Sequence, residues 1–389
     1  MHIDSIKLFG ITPKKSAENK NGTKTKGETF QSGSFSDLNA LKKTGVVGVS
    51  SEYKNDDQRQ IDTTILNFRK ANNAAKVFLR KAVLAQKNIL DDASNVLSMA
   101  DEAQGKYTEM LGLYNAGAPI ASLGDKRYEI TRNADGNAMM DEYTQDGTLL
   151  STTYFEKGLP VLYVQGAQEL PDGTTKVDLE IDYKDAKPLK YTQSGRFLPN
   201  GECIVEKEIE FANGKPRVYR QGQRDYFDDV TTVEKIIHFD GDMPIKYEED
   251  VTFYPDSSFV SSTRADFEDG EIISYAQDSS ETANGRDGFK RRILFENGKL
   301  ALYQEDFEKR PDYSYEFSKS IDFENGREKT YMEGFEELSD GPSRIDKMIK
   351  LENKLPKSVI FGLDFGVEKH AEKIFEDVNG IWVQVKKNN

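Results

Sequence analysis

The sequence predicts a mainly β protein with one long N-terminal helix. The β part reads as a single-layer antiparallel meander of tandem 28-residue hairpin repeats, curled along its length. Three observations predict it. An aromatic residue recurs every 28 positions from Phe155 to Phe323, with Leu351 at the next step. An apolar or aromatic residue recurs in alternate steps of four and three from Ile61 to Tyr114. From about Leu123 the apolar period falls to two, as where Val177, Leu179, Ile181 and Tyr183 alternate with Asp178, Glu180 and Asp182. The first spacing marks a repeat array, the second a heptad helix, and the third a strand with one buried and one wet face.

Residues 1–56 are rich in Lys, Asn, Gly, Ser and Thr and show no sustained period, so a disordered tail is expected there. Residues 57–117 are expected to be one helix. Its stripe runs Ile61, Ile65, Phe68, Asn72, Ala75, Leu79, Ala82, Gln86, Ile89, Ala93, Val96, Ala100, Ala103, Tyr107, Met110 and Tyr114. Asn72 and Gln86 are its two polar interruptions, a type that fixes register at some cost in stability. The stripe passes unbroken through Asp91-Asp92-Ala93-Ser94-Asn95. Gly117 and Pro119 then end the helix.

Residues 118–154 read as an N-terminal capping hairpin with turns at Asp135-Gly136 and Asp146-Gly147. Residues 155–360 hold the repeats, and 361–389 a C-terminal capping hairpin turning at Asn379-Gly380. Fixed columns define the repeat. The anchors are Phe155, Tyr183, Phe211, Phe239, Phe267, Phe295, Phe323 and Leu351. Two residues before each come Thr153, Ile181, Ile209, Ile237, Ala265, Ile293, Ile321 and Ile349. Eight residues after each come Tyr163, Tyr191, Tyr219, Tyr247, Tyr275, Tyr303, Tyr331 and Val359.

A turn column of Asp172, Asn200, Asp228, Asp256, Asn284, Asp312 and Asp340 closes each hairpin pair, with Pro-Asp-Gly and Pro-Asn-Gly as direct turn chemistry. The turns after the anchors, such as Ala212-Asn213-Gly214, are expected to be three-residue loops with a G1 bulge. That loop pairs the anchor with the fourth residue after it and keeps the apolar columns on one face. It also sets Lys207, Lys235, Arg291 and Lys319 opposite Tyr219, Tyr247, Tyr303 and Tyr331.

The repeats resemble MORN-type and related bacterial hairpin-repeat proteins. The likeness rests on Phe295-Glu296-Asn297-Gly298-Lys299 with Tyr303, and on Phe211-Ala212-Asn213-Gly214-Lys215 with Tyr219. It spans roughly residues 123–385. This repeat is longer than the MORN unit and lacks its glycine-rich second strand. The resemblance implies a curved single-layer meander that binds partners without catalysis.

Composition narrows the function classes. The net charge is −14, and residues 1–60 carry ten Lys/Arg against seven Asp/Glu, so the rest carries −17. An acidic body argues against nucleic-acid binding. No apolar stretch reaches the length of a membrane span. The single cysteine, Cys203, forms no internal disulfide and fits a reducing compartment, so a cytoplasmic location is expected, with non-classical secretion as the alternative.

No catalytic residue, metal ligand or cofactor is expected. His2, His238 and His370 stand in unlike contexts, and His238 reads as a solvated strand residue. Cys203 reads as a small inward core residue. Asp364-Phe365-Gly366 lacks every other kinase element. Members of the Asp/Asn column lie two strands apart, about 9.6 Å, too far to share calcium, so turn formation is the preferred reading.

The expected function is a non-enzymatic protein-interaction scaffold. The alternative is an exported surface or effector protein binding glycan or a host partner through an aromatic sheet face. In either case the candidate binding face is Tyr191, Tyr219, Tyr247, Tyr275, Tyr303 and Tyr331. Two uses of the heptad stripe stay open. It lies along the sheet of its own chain, or it joins copies into a homo-oligomer through residues 57–117.

Overall fold

A computed structural model describes residues 55–116, 120–123, 125–133, 135–339, 341–365 and 370–385. The expected tail lies outside the described residues, apart from its last two positions, which belong to the helix. That helix, α1 (Asn55–Asn115), is continuous. Beyond it, among the described residues, come 22 strand segments in one antiparallel sheet, each paired with its neighbour in sequence except Leu159–Gln165 and Gln168–Glu169. Leu159–Gln165 and Gln168–Glu169 both pair with Thr175–Lys184 and form one interrupted strand. The result is a 21-strand meander that does not close into a barrel. An unexpected strand, Ile120–Leu123, pairs with Lys126–Arg132 and begins the sheet. Ile381–Gln384, four residues long, ends it.

The two ends of the strands use different turns, and the three-residue loop expected after the anchors is not found there. After each anchor the loop has two residues, not three. Ala212 pairs with Lys215, and Phe211 with Pro216, the fifth residue on. Asn213 and Gly214 have φ of 56° and 82°, and Asn297 and Gly298 of 51° and 69°. Positive φ at both central positions is the type I′ hairpin that Asn-Gly favours. A bulge at Arg217, between Pro216 and Val218, then restores the phase. Tyr219 consequently faces Ile209 on one side and Ile237 on the other.

The three-residue loop with its bulge closes the other end. The Gly201 N–H donates to the Leu198 carbonyl, and the Leu198 N–H to that of Glu202. There Asp172, Asn200, Asp228, Asp256, Asn284 and Asp312 each accept the backbone N–H two residues on, at 2.9, 3.1, 3.4, 2.9, 3.3 and 3.0 Å. Asp340 lies outside the described residues.

The register also corrects the expected lysine–tyrosine pairs. Lys207 stands opposite Gln221, Lys235 opposite Glu249, Arg291 opposite Glu305 and Lys319 opposite Glu333. Each tyrosine column residue is followed two positions later by Glu or Gln, and this side chain takes the hydroxyl of Tyr163, Tyr219, Tyr247, Tyr303 and Tyr331. Tyr303 donates to Glu305 at 2.6 Å and Tyr331 to Glu333 at 2.9 Å. The other oxygens of those glutamates take Lys319 at 2.9 Å and Lys347 at 3.1 Å. A buried phenol needs such an acceptor.

Eleven residues after each anchor, a strand residue turns left-handed. Gly166, Ser194, Gly222, Asp250, Asp278, Asp306, Gly334 and Gly362 have φ between 49° and 65°. Side-chain alternation breaks at this row. Ile237 belongs to the helix-side core, whereas Val233 and Ile236, three residues apart, share a cluster with Val218 and Val251. Ile345 and Met348 part from Ile349 in the same way.

The sheet therefore carries a second core on the face away from α1. It includes the ring stacks Phe289–Phe307 and Phe317–Phe335, both at 4.6 Å between centroids. The expectation of one buried and one wet face fails in mid-strand, where Ile236 and Met348, three residues before an anchor, are buried on the face away from α1. Beyond the kink the buried face is the opposite one.

The stripe of α1 packs on the sheet of its own chain and runs antiparallel to the array. Tyr114 stacks on Phe155 at 4.4 Å, Tyr107 meets Tyr183, Phe78 meets Tyr275, and Phe68 meets Tyr331. Polar ties fix the register: Asn72 donates to Glu328 at 2.9 Å, and Lys235 pairs with Asp92 at 2.5 Å. Eight residues at sevenfold spacing, from Ile61 to Met110, are all buried, and the array has eight anchors. Seven helical residues rise about 10.5 Å, and two strands advance about 9.6 Å. The heptad is thus the helical length of one β repeat.

Candidate functional site

Tyr191, Tyr219, Tyr247, Tyr275, Tyr303 and Tyr331 are 0–5 % exposed beneath α1. With α1 in place they offer no accessible aromatic face, which corrects that expectation. Burial pushes Tyr191 and Tyr219 up to about 12. Burial and then the bond to its glutamate push Tyr247 and Tyr303 higher still. All these hydroxyls stay protonated in the physiological range. Tyr191 also borders a gap of about 520 Å³ at the helix flank, with Met99, Glu102, Gln193 and Lys207.

The face away from α1 carries a better site. A cleft of about 410 Å³ spans the strands from Lys187–Phe197 to Met243–Phe253. Its floor is apolar, from Val205, Val233 and Ile236, and its lining includes Phe197 and Phe253, 38 % and 36 % exposed. Both rings stand fourteen residues after an anchor, beyond the kink that turns this face inward.

Between the rings lies a polar network. Arg220 donates to Glu208 at 2.8 Å and to Glu210 at 2.6 Å. Lys190 reaches the second Glu208 oxygen at 2.7 Å. Thr231 donates to Asp225 at 2.8 Å, and Gln223 donates to the same carboxylate. Beside the cleft, Glu248 is 3 % exposed. Burial alone would raise its pKa, but the nearby His238 and the charges of Lys246 and Arg264 outweigh that and hold it at about 2.

His238 thus lines this cleft, 3.7 Å from Glu248, rather than standing free in solvent. Cys203 lines it too, half-buried on the face away from α1, not in the core under the helix. Burial pushes its thiol up to about 11, so it is protonated and weakly nucleophilic. The Asp/Asn column serves its own turns, and bonds from Ser258 hold Asp256 below the usual carboxylate range. Among the described residues no three His, Cys, Asp or Glu side chains are grouped to hold a metal ion. Asp364 ends the strand Leu355–Asp364 and pairs with His370 and Arg344, an ordinary strand position.

No known family model matches the chain, and no curated protein matches it. Among the described residues no helix is long and apolar enough to cross a membrane.

The 28-residue periodicity does not mark this cleft, because the cleft is made where the repeats differ. The column fourteen after the anchor reads Glu169, Phe197, Asp225, Phe253, Glu281, Lys309 and Glu337. The column three before the anchor reads Thr152, Glu180, Glu208, Ile236, Arg264, Arg292, Ser320 and Met348. The signal lies in this contrast between constant and varying columns.

Proposed function

We propose that the protein is a non-enzymatic interaction scaffold whose β-hairpin repeats present a partner-binding cleft on the face away from α1. One observation carries this reading. The constant columns are consumed by the protein's own cores and turns, while the columns that vary line the cleft. In repeat scaffolds the constant positions hold the array together, and the remainder is free to specify a partner. The hairpin-repeat resemblance points the same way. The cleft acids are already matched by Arg220, Lys190 and Lys246, which suits recognition better than proton transfer.

Exchange of Phe197 and Phe253 to Ser tests the proposal, because both rings are part-exposed and carry little of either core. A protein that co-purifies with the wild type should bind the double variant at least about tenfold more weakly, at unchanged melting temperature. Equal binding would remove the cleft from consideration. A second reading rests on the pairing of exposed rings with the polar lining side chains Arg220, Glu208 and Gln223, an arrangement that also suits glycan. Binding on a glycan array, lost in the same variant, would select it, together with the exported-protein alternative.

A further inference from the structure

The solvent-facing side of α1 has a composition found nowhere else in the chain. From Thr63 to Leu90 there are six basic residues and no acidic one. Residues 91–389 hold 59 acidic and 37 basic residues, a net charge of −22. The six cations are Arg69, Lys70, Lys76, Arg80, Lys81 and Lys87, and all are exposed. Among the described residues only Lys76 has an ion-pair partner, Glu328 at 3.5 Å.

Apolar side chains stand between these cations. Leu66, Val77, Val83 and Leu84 are 49, 55, 57 and 61 % exposed, although the opposite side of the helix is buried on the sheet. At about 100° per residue, Leu66, Val77 and Leu84 fall within about 20° of one line. Lys70 and Lys81 flank that line on one side, and Arg69, Arg80 and Lys87 on the other.

We propose that this ridge docks the protein on an anionic lipid surface. An apolar line bordered on both sides by Lys and Arg is the geometry of an interfacial helix, whose long cationic stems reach headgroups while the apolar side chains enter the acyl boundary. The ridge is convex and spread from Leu66 to Leu84, about 27 Å at 1.5 Å per residue. A protein hot spot is instead a compact cluster packed into a pocket. The charge distribution orients the molecule. The acidic sheet lies on the far side of α1, and a screening length of about 8 Å limits its repulsion from the membrane. The cleft proposed above is on the opposite face of the sheet, so either proposal can fail without the other.

The test is flotation of the full chain with vesicles of phosphatidylcholine alone and of phosphatidylcholine with about 40 % phosphatidylglycerol. Binding to the anionic vesicles only, weakened by about 0.5 M salt, is expected. The variant Lys70→Gln, Arg80→Gln, Lys81→Gln should bind on the order of 100-fold more weakly. The variant Val77→Gln, Leu84→Gln should lose several-fold. Both change exposed positions and should keep the wild-type melting temperature, and both leave the lysines of residues 1–54 in place. Absence of binding to anionic vesicles would overturn the proposal, as would binding that both variants retain. Capture by soluble polyglutamate without vesicle binding would also overturn it, by giving the ridge an acidic protein partner instead.

Discussion

At the scale of single residues, the same side-chain type does different work on the two faces of the sheet. On the helix side, Glu305 and Glu333 accept a buried phenol and a lysine at once. On the other side, Glu248 is kept ionised by cationic neighbours within a buried site. Its folded pKa, about 2, lies below the unfolded value near 4.5. The stabilisation it supplies is therefore present above about pH 5 and is lost as pH falls towards 2. Glu248→Gln should be less stable than wild type at pH 7 by about 2–3 kcal/mol and should converge with it near pH 2. Urea melts across that pH range would measure the gap. A constant difference would mean that the ionised carboxylate is not the source. The anchor, Ile and Tyr columns were legible in the sequence because each recurs at an unbroken 28-residue spacing, with Thr153, Ala265, Leu351 and Val359 as departures in residue type. The partner of each tyrosine was not. Register depends on whether one residue bulges, and Arg217 bulges without any mark in its side chain.

At the scale of elements, the helix and the strands solve related problems of phase. The stripe at Ile61, Phe68, Ala75 and onwards was legible, and all eight of its sevenfold positions are buried. The flanking column was legible only in the second half. There Ala93, Ala100 and Tyr107 are buried as expected, but in the first half Thr64, Ala71 and Phe78 take the place of Ile65, Asn72 and Leu79. A helix of 3.6 residues per turn drifts against a repeat of 3.5, and the change of flank absorbs part of that drift.

In the strands, the left-handed row was invisible because four of its residues are not glycine. Their logic lies across the strand. Gly222 faces the Glu234 side chain, which would lie 2.4 Å from an added Cβ. Asp250 in the next repeat faces Ser262, whose hydroxyl donates to it at 2.8 Å. Gly222→Asp alone should therefore cost about 2 kcal/mol, and adding Glu234→Ser should recover about half of it or more. Thermal melts of the two single variants and the double would decide. Additive losses would mean that the row is not a matched pair.

At the scale of the whole molecule, the sheet has two cores on opposite faces, and α1 covers only one of them. The sequence pattern announced the helix-side core, since its columns repeat. The second core was not legible, because alternation read from one strand assumes that no residue reverses the faces partway along. Removing residues 1–117 should expose the constant tyrosines and isoleucines, and light scattering should then show aggregation, as an apolar face of that extent is unstable in water. A soluble, monomeric sheet would mean instead that the second core suffices to hold the array. Homo-oligomerisation through α1 faces the same constraint from the other direction. The stripe that would join two copies is already occupied within one.

The matching of seven helical residues to one 28-residue repeat constrains how such a protein changes length in evolution. Repeat arrays ordinarily grow by duplicating a unit of their own gene segment. Here a duplicated hairpin pair would extend past the end of the helix and leave one more set of tyrosines uncovered. A lengthened helix alone would project beyond the sheet. The viable lengths are therefore a discrete series, reached by coordinated changes at two distant places in the chain, and α1 acts as the ruler that sets how many repeats are kept.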